Sequence, residues 1–283
     1  MAIVQFVPEL WSPNILTNLR AKLVYGGLGN NDYEGLISQI GDTVHITSFT
    51  DPAVRSYTKN SNISWDLLTD ATRALLIDQG DYFAFTVDDI DRRQAFPGFV
   101  AAASKGAAYN LAFNVDDYIS DILIASADAT AQDLGAQAWD ISDNSAYNFI
   151  VAFRTKLNRA NVPMEGRWIV VSPELYAALL QDVRFINAAA SGDQSNQALR
   201  EGFVGRMAGF DVFESNTVSE PTAGTYHVLA GSPIAFTYAD QILETEAVRL
   251  QNQFGDGIRG LHVYGAKVVY PTAVVLASVT VQA

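Results

Sequence analysis

FPGFVAAASKGAAYNLAFNVDDYISDILIASA, residues 96–127, is the stretch on which the architecture turns. Phe96, Phe99, Val100, Ala103, Ala107, Leu111, Val115, Tyr118, Ile119, Ile122 and Leu123 return at intervals of three and four, the spacing that aligns one face of an α-helix. Pro97 suits the first turn, where its missing N–H is no loss. The pattern predicts one helix of about 30 residues, a rod of roughly 45 Å at ~1.5 Å per residue. Alanine and glycine crowd its first half, so other backbones can approach closely. A small core rarely needs such a rod.

Upstream, strand chemistry begins at Gly41 with DTVHITSFT and returns in LLIDQGDYFAFTVDD from Leu75, with Phe83, Phe85 and Val87 on one face. The stretch between them is polar and rich in turn residues. If residues 43–87 form one hairpin, each limb extends on the order of 50 Å at ~3.3 Å per residue. Hairpins alone are marginal in water, so such a ribbon needs another surface to lie on. Before it, residues 1–40 combine short helical pieces with Pro8, Pro13 and the turn cluster Gly26-Gly27-Leu28-Gly29-Asn30-Asn31, and read as an arm.

Downstream of Gly135 the pattern becomes α/β. Ser142 or Asp143 can cap a helix whose Ala146, Phe149, Ile150, Phe153 and Leu157 share a face, and Pro163 follows its end. Arg167-Trp168-Ile169-Val170-Val171 reads as a buried strand. Ser172-Pro173-Glu174 then supplies an N-cap, a first-turn proline and an acidic first turn to the helix LYAALLQ. HVLAGSPIAFTYADQ, ETEAVRL and LHVYGAKVVYPTAVVLASV are strand-like with Gly and Pro punctuation. No internal repeat or low-complexity tract is present.

Composition narrows the function classes. The 283 residues are 49% hydrophobic, enough for a sizeable interior. Thirty-one acidic against 18 basic residues give a net charge of −13, which repels nucleic acid backbones and anionic membranes. A DNA-reading role is therefore not expected. The absence of cysteine removes disulfides, thiolate metal sites and cysteine nucleophiles, and fits a reducing cytoplasm. Residues 1–9 lack the basic and apolar regions of a secretory signal, so no export is expected. The charge-free run Val268 to Ala283 is too short to span a bilayer comfortably, is broken by Pro271 and suits strands, so no membrane segment is assigned.

A search for chemistry returns only structural roles. His45, His227 and His262 each stand alone in strand-like apolar surroundings, the setting of packed, hydrogen-bonded histidines. Asp88, Asp89 and Asp91 lack the spacing of a calcium loop, and Arg92 and Arg93 follow at once. Asp116, Asp117 and Asp121 on the long helix suggest a solvated or inter-subunit face, and Gly255-Asp256-Gly257-Ile258-Arg259-Gly260 a turn. No catalytic, cofactor-binding or metal-binding residue is assigned.

REGFVGRMAGFDVFESN, residues 200–216, carries Gly202, Gly205 and Gly209 and superficially offers a phosphate cradle. Such a cradle needs a strand before the glycines and a helix after them. Here helical composition (Asn196 to Arg200) comes first and strand-like alternation (Phe210 to Ser215) follows, so the glycines read as turn residues.

The order of arm, extended hairpin, long helix, α/β lobe and closing strands resembles the major capsid proteins of tailed double-stranded-DNA bacteriophages, with the Hong Kong 97 capsid fold. The resemblance covers most of the chain. It is carried by Phe6-Val7-Pro8-Glu9-Leu10-Trp11 in the arm, Gly41-Asp42-Thr43-Val44 opening the hairpin, Phe83 to Asp89 closing it, and Ala198 to Val212 leading into a strand of the axial lobe. It implies an α+β fold with an amino-terminal arm (1–40), an extended loop (41–90), a peripheral domain with a spine helix (91–140 and 232–283) and an α/β axial domain (141–231).

The same resemblance implies a structural protein without cofactors that assembles with itself, as pentamers and hexamers, into the icosahedral shell of procapsid and mature head. Assembly would take place in the bacterial host cytoplasm, and the shell would enclose double-stranded DNA without reading its sequence. No helical scaffolding segment opens the chain, so a separate scaffolding protein is expected beside the portal, with a decoration protein as a further partner. Some relatives crosslink a hairpin lysine to a neighbour; Lys59 lies near the expected tip, where a solvated lysine is the commoner case. The alternatives are an encapsulin-like compartment enclosing a cargo enzyme, a soluble α/β enzyme built on Trp168 to Phe213, and a β-rich adhesion or tail component.

Overall fold

The computed structural model describes residues 23–31, 43–49, 54–57, 59–60, 62, 65, 70–88, 99–130, 132–140, 145–181, 205–251 and 254–282. The expected helix is continuous as α1, Phe99–Ala129, 31 residues long. Phe96 and Pro97 lie outside the described residues. Val115, Ile119, Leu123 and Ala127, spaced by four, are fully buried along its inner face. Its end is marked by Thr130, whose hydroxyl donates to the Ser126 carbonyl at 2.9 Å.

Helix α2, Ser145–Arg159, buries Ile150, Phe153 and Leu157, as their spacing predicts. Its C-terminus turns at Asn161, with φ +56°, and the Val162 N–H returns to the Leu157 carbonyl at 3.1 Å. Arg167, buried just before the next strand, donates to Asn158 Oδ1 (2.8 Å), the Val162 carbonyl (2.5 Å) and the Pro163 carbonyl (2.7 Å). A guanidinium here satisfies two carbonyls of the turn that follows α2, close to the helix's negative end. Helix α3, Pro173–Gln181, is capped as its sequence suggests, with the Leu175 N–H donating to Ser172 Oγ at 3.3 Å.

Eleven described strands follow chain order: β1 Thr43–Phe49, β2 Asp70–Leu76, β3 Gln79–Asp88, β4 Asp133–Asp140, β5 Trp168–Val171, β6 Arg206–Met207, β7 Phe210–Glu214, β8 Thr225–Gly231, β9 Phe236–Arg249, β10 Gly255–Val268 and β11 Val274–Gln282. Six of them form a mixed sheet in the order β4-β11-β8-β5-β7-β6. In it β4 runs parallel to β11 and β5 parallel to β7, and the other neighbours are antiparallel. All four residues of β5 are buried, as a strand covered on both faces must be. A second, antiparallel sheet has the order β3-β10-β9, and β1 pairs with β2.

One hydrophobic core takes residues from α1, α2, α3, the six-stranded sheet and the start of β9. A smaller cluster of Val44, Leu75, Ile77, Ala239, Val263 and Val269 seats the base of the β1–β2 hairpin on the three-stranded sheet.

Three expectations change. The hairpin's second limb does not run from Leu75 through Val87: β2 ends at Leu76, and β3 turns away to pair with β10, placing Ile258 opposite Phe85. The intervening Ile77 is buried in the small cluster, and that anchorage divides the limb. Residues 255–260 open β10 instead of making a turn. Gly260 is required there by a close approach, since a Cβ would lie 2.4 Å from Phe83 Cε1. The closing segment also divides: β9 and β10 form a ribbon in the smaller sheet, whereas β11 lies between β4 and β8 in the larger one.

Candidate assembly surfaces

Beyond its seated base, the hairpin carries large apolar side chains into solvent. Val54 is fully exposed, Trp65 is 90% exposed and Tyr57 is 72% exposed, while Lys59 is exposed beside them. Three large apolar side chains exposed on one stretch of chain make it a candidate surface for another molecule to cover.

The three-stranded sheet offers a second surface. Its inner face packs on α1: Phe83 meets Leu111 and Ala112, and Tyr264 meets Tyr118 edge to face with ring centroids 5.5 Å apart. On the outer face Leu261 stands opposite Tyr82 and Arg259 between Ala84 and Glu246, around an open groove of about 520 Å³. Arg259 and Glu246 form an ion pair at 2.5 Å. Tyr82 is 78% exposed. The hairpin base covers Val263 farther along this face, so the groove continues where the hairpin's own packing stops. Along α1, Tyr109 and Phe113 are exposed one turn apart, with Asp117 and Asp121 on the following turns.

The residues weighed for chemistry resolve individually. His262 is buried in β10; its Nε2 lies 3.2 Å from Asp240 Oδ2, and its ring stacks on Tyr264 at 5.2 Å. His227 lies in β8, and its backbone N–H donates to the Ser219 carbonyl at 2.9 Å. His45 lies in β1, but its side chain is outside the described residues, as are Asp89, Asp91, Arg92 and Arg93. The three histidine positions thus fall in three different sheets. No group of three or more acidic or histidine side chains among the described residues is placed to hold a metal ion. No described helix is long and apolar enough to cross a membrane.

Asp117 and Asp121 are exposed, as expected, but Asp116 is buried. Its Oδ2 accepts the Val24 N–H at 2.8 Å and its Oδ1 the Gly26 N–H at 3.3 Å. The missed signal is in the spacing: Asp116 is four residues after buried Ala112 and three before buried Ile119. Burial raises its pKa from 3.8 to about 6, against the opposing pull of the N–H donors at Val24, Gly26 and Tyr25.

The glycine stretch is a turn. Arg206–Met207 and Phe210–Glu214 form a tight hairpin in which Met207 faces Phe210. Ala208 (φ +49°) and Gly209 (φ +91°) supply the two left-handed residues its loop requires, and Gly205 (φ +63°) precedes it. A strand follows the glycines, so no helix terminus is aimed at an anion. Gly202 and residues 196–204 lie outside the described residues.

Among curated proteins no match to the sequence is found. A family profile described as phage capsid protein matches residues 45–277. Among solved structures, that of Mycobacterium phage Che8 is similar at 33% identity, with 98% of this chain and 98% of that chain covered and a TM-score of 0.72. The capsid of cyanophage P-SCSP1u is similar at 14% identity over 92% of this chain and 88% of that chain, with a TM-score of 0.69. The mature capsid of bacteriophage PhiM1 is similar at 16% identity over 91% and 87%, with a TM-score of 0.67. These two likenesses carry the fold, a mixed helix and sheet arrangement of the Hong Kong 97 capsid type. The profile match over most of the chain and the end-to-end likeness at 33% identity establish that this chain belongs to the phage capsid protein family, as a structural, shell-forming component of the virion capsid.

Proposed function

We propose that copies of this chain tile a closed icosahedral shell as pentamers and hexamers, with the hairpin of each subunit lying over a neighbour and the amino-terminal arms tying capsomers together. The observation that carries this reading is the hairpin itself. Val54, Tyr57 and Trp65 are exposed on a ribbon that, among the described residues, packs at its base, an arrangement that is stable when copies cover one another. Closed symmetry multiplies such modest contacts, and elongated elements enlarge the interface without enlarging a core.

In this reading residues 1–40 are the arm, 41–90 the extended loop, 91–140 and 232–283 the peripheral domain and 141–231 the axial domain. The pairing of β11 with β4 and β8 supports one amendment to this division, moving Val274–Gln282 and the adjoining β4 from the peripheral domain to the axial sheet. Partners are a separate scaffolding protein, a portal and a decoration protein, with assembly in the bacterial host cytoplasm. The net charge of −13 suits a container whose wall holds phosphate weakly, so that enclosed double-stranded DNA can slide and repack.

Electron microscopy of the purified protein tests the proposal. Closed shells of uniform diameter are expected, and empty shells should bind DNA weakly. Monomers that persist at high concentration would overturn the shell, while tight, salt-sensitive DNA binding would overturn the sliding role. Small shells filled with a cargo enzyme would replace the phage head by an encapsulin-like compartment.

A further inference from the structure

Residues 23–31 are attached to the body of the subunit at two places. At the first, the 3-10 turn Tyr25–Gly27 sits on the middle of α1. Tyr25 is fully buried there, edge to face with Trp168 at a centroid distance of 6.4 Å. At the second, the Asn30 N–H donates to the Phe236 carbonyl at 3.0 Å and the Asn30 carbonyl accepts the Tyr238 N–H at 3.1 Å, adding the chain to the start of β9. The second place is a backbone pairing, and at the first each oxygen of the Asp116 carboxyl group takes an amide of the segment. N–H groups in the first turn of a helix have no partner inside it, and a buried carboxylate needs donors, so each group satisfies the other.

We propose that Asp116 is the positioning residue of the amino-terminal arm: its carboxyl group fixes Val24–Gly26 on α1, and the proton it binds or releases sets how firmly that segment is held. The inference rests on the shell reading only in making this segment the root of an arm that ties capsomers together.

The direction follows from the surroundings. Asp116 bears electrostatically on two phenols, Tyr25 from the arm and Tyr238 from β9. Burial raises both phenols, so neither ionises in the range where Asp116 titrates. A carboxyl released to solvent returns to its ordinary 3.8, against about 6 when the arm is held. The held state therefore binds the proton more tightly. Attachment is strongest below the released value, weakens as pH rises through the held value and is level above it.

Hydrogen exchange measured by mass spectrometry on the full-length chain reads this directly, using peptides over residues 23–31 corrected for intrinsic exchange. In the wild type, protection falls about twentyfold between about pH 4.5 and 6.5 and then levels. Asp116→Asn, which cannot ionise, removes the slope, while peptides over β5 stay protected and level in both proteins. A level wild-type profile, or the same slope in Asp116→Asn, overturns the inference. If Asp116→Asn loses β5 protection, the wild-type profile decides alone: a slope elsewhere in pH overturns it. Exchange reads the attachment whether or not particles form, so electron microscopy of the same samples separates this outcome from failure of the shell reading.

Discussion

Trp168 meets Phe236 edge to face, with ring centroids 6.2 Å apart and planes at 89°. Trp168 belongs to β5 in the six-stranded sheet and Phe236 opens β9 in the three-stranded one, so this contact joins the two sheets. Tyr25 completes the cluster from the 3-10 turn Tyr25–Gly27. Truncating Trp168 to alanine removes the shared centre and leaves a cavity. We predict a loss of about 3–5 kcal/mol, read by denaturant unfolding of the subunit. A loss below about 1 kcal/mol would show that the sheets are joined elsewhere.

Gly260 lies flat beneath Phe83, where any Cβ would intrude. Gly260→Val forces the ring away from α1 and is predicted to destabilise the subunit by about 1–3 kcal/mol. The paired variant Gly260→Val with Phe83→Ala should recover part of that loss. Equal stability of Gly260→Val and the wild type would remove the close-packing account.

Arg167 reaches back to three acceptors at the end of α2. Replacing it with methionine keeps the apolar stem but leaves the buried Val162 carbonyl and the Pro163 carbonyl without this donor, a predicted cost of about 2–4 kcal/mol. Exchange of the last turn of α2 should speed up more than that of α3. Uniform acceleration of both helices would argue for global destabilisation alone.

Trp65→Ser changes a side chain that is 90% exposed and touches little of its own subunit. Subunit stability should stay within about 0.5 kcal/mol of the wild type. Particle yield by electron microscopy should nevertheless fall severalfold, and Tyr57→Ser should act in the same direction. Wild-type yield from both variants would mean that the hairpin tip lies outside the interface.

The parts of this fold that were legible in the sequence are those governed by local rules. The three- and four-residue spacing predicted α1, and the Ser172-Pro173-Glu174 cap predicted α3, because each signal lies within a few residues of its consequence. Pairing was harder to read. Nothing near Leu76 announces that β3 leaves the hairpin for a partner about 170 residues away, and the sheet position of Val274–Gln282 is equally non-local. The burial of Asp116 is hidden for a related reason: the nearby acids Asp117 and Asp121 are exposed, and the amides that receive its carboxylate, at Val24 and Gly26, are about 90 residues away. The hairpin surface was visible as an unsupported ribbon, but not which of its residues stand free.

The interior position of β11, between β4 and β8, ties folding to the order of synthesis. A nascent chain that has emerged only as far as Pro271 has made β4 and β8 but left a strand-wide gap between them. The six-stranded sheet closes when Val274–Gln282 slides in, after every other described strand has been made. Chains cut before Val274 are thus expected to bind hydrophobic dye and to stay out of particles, so that the wall admits only subunits in which this strand has been inserted.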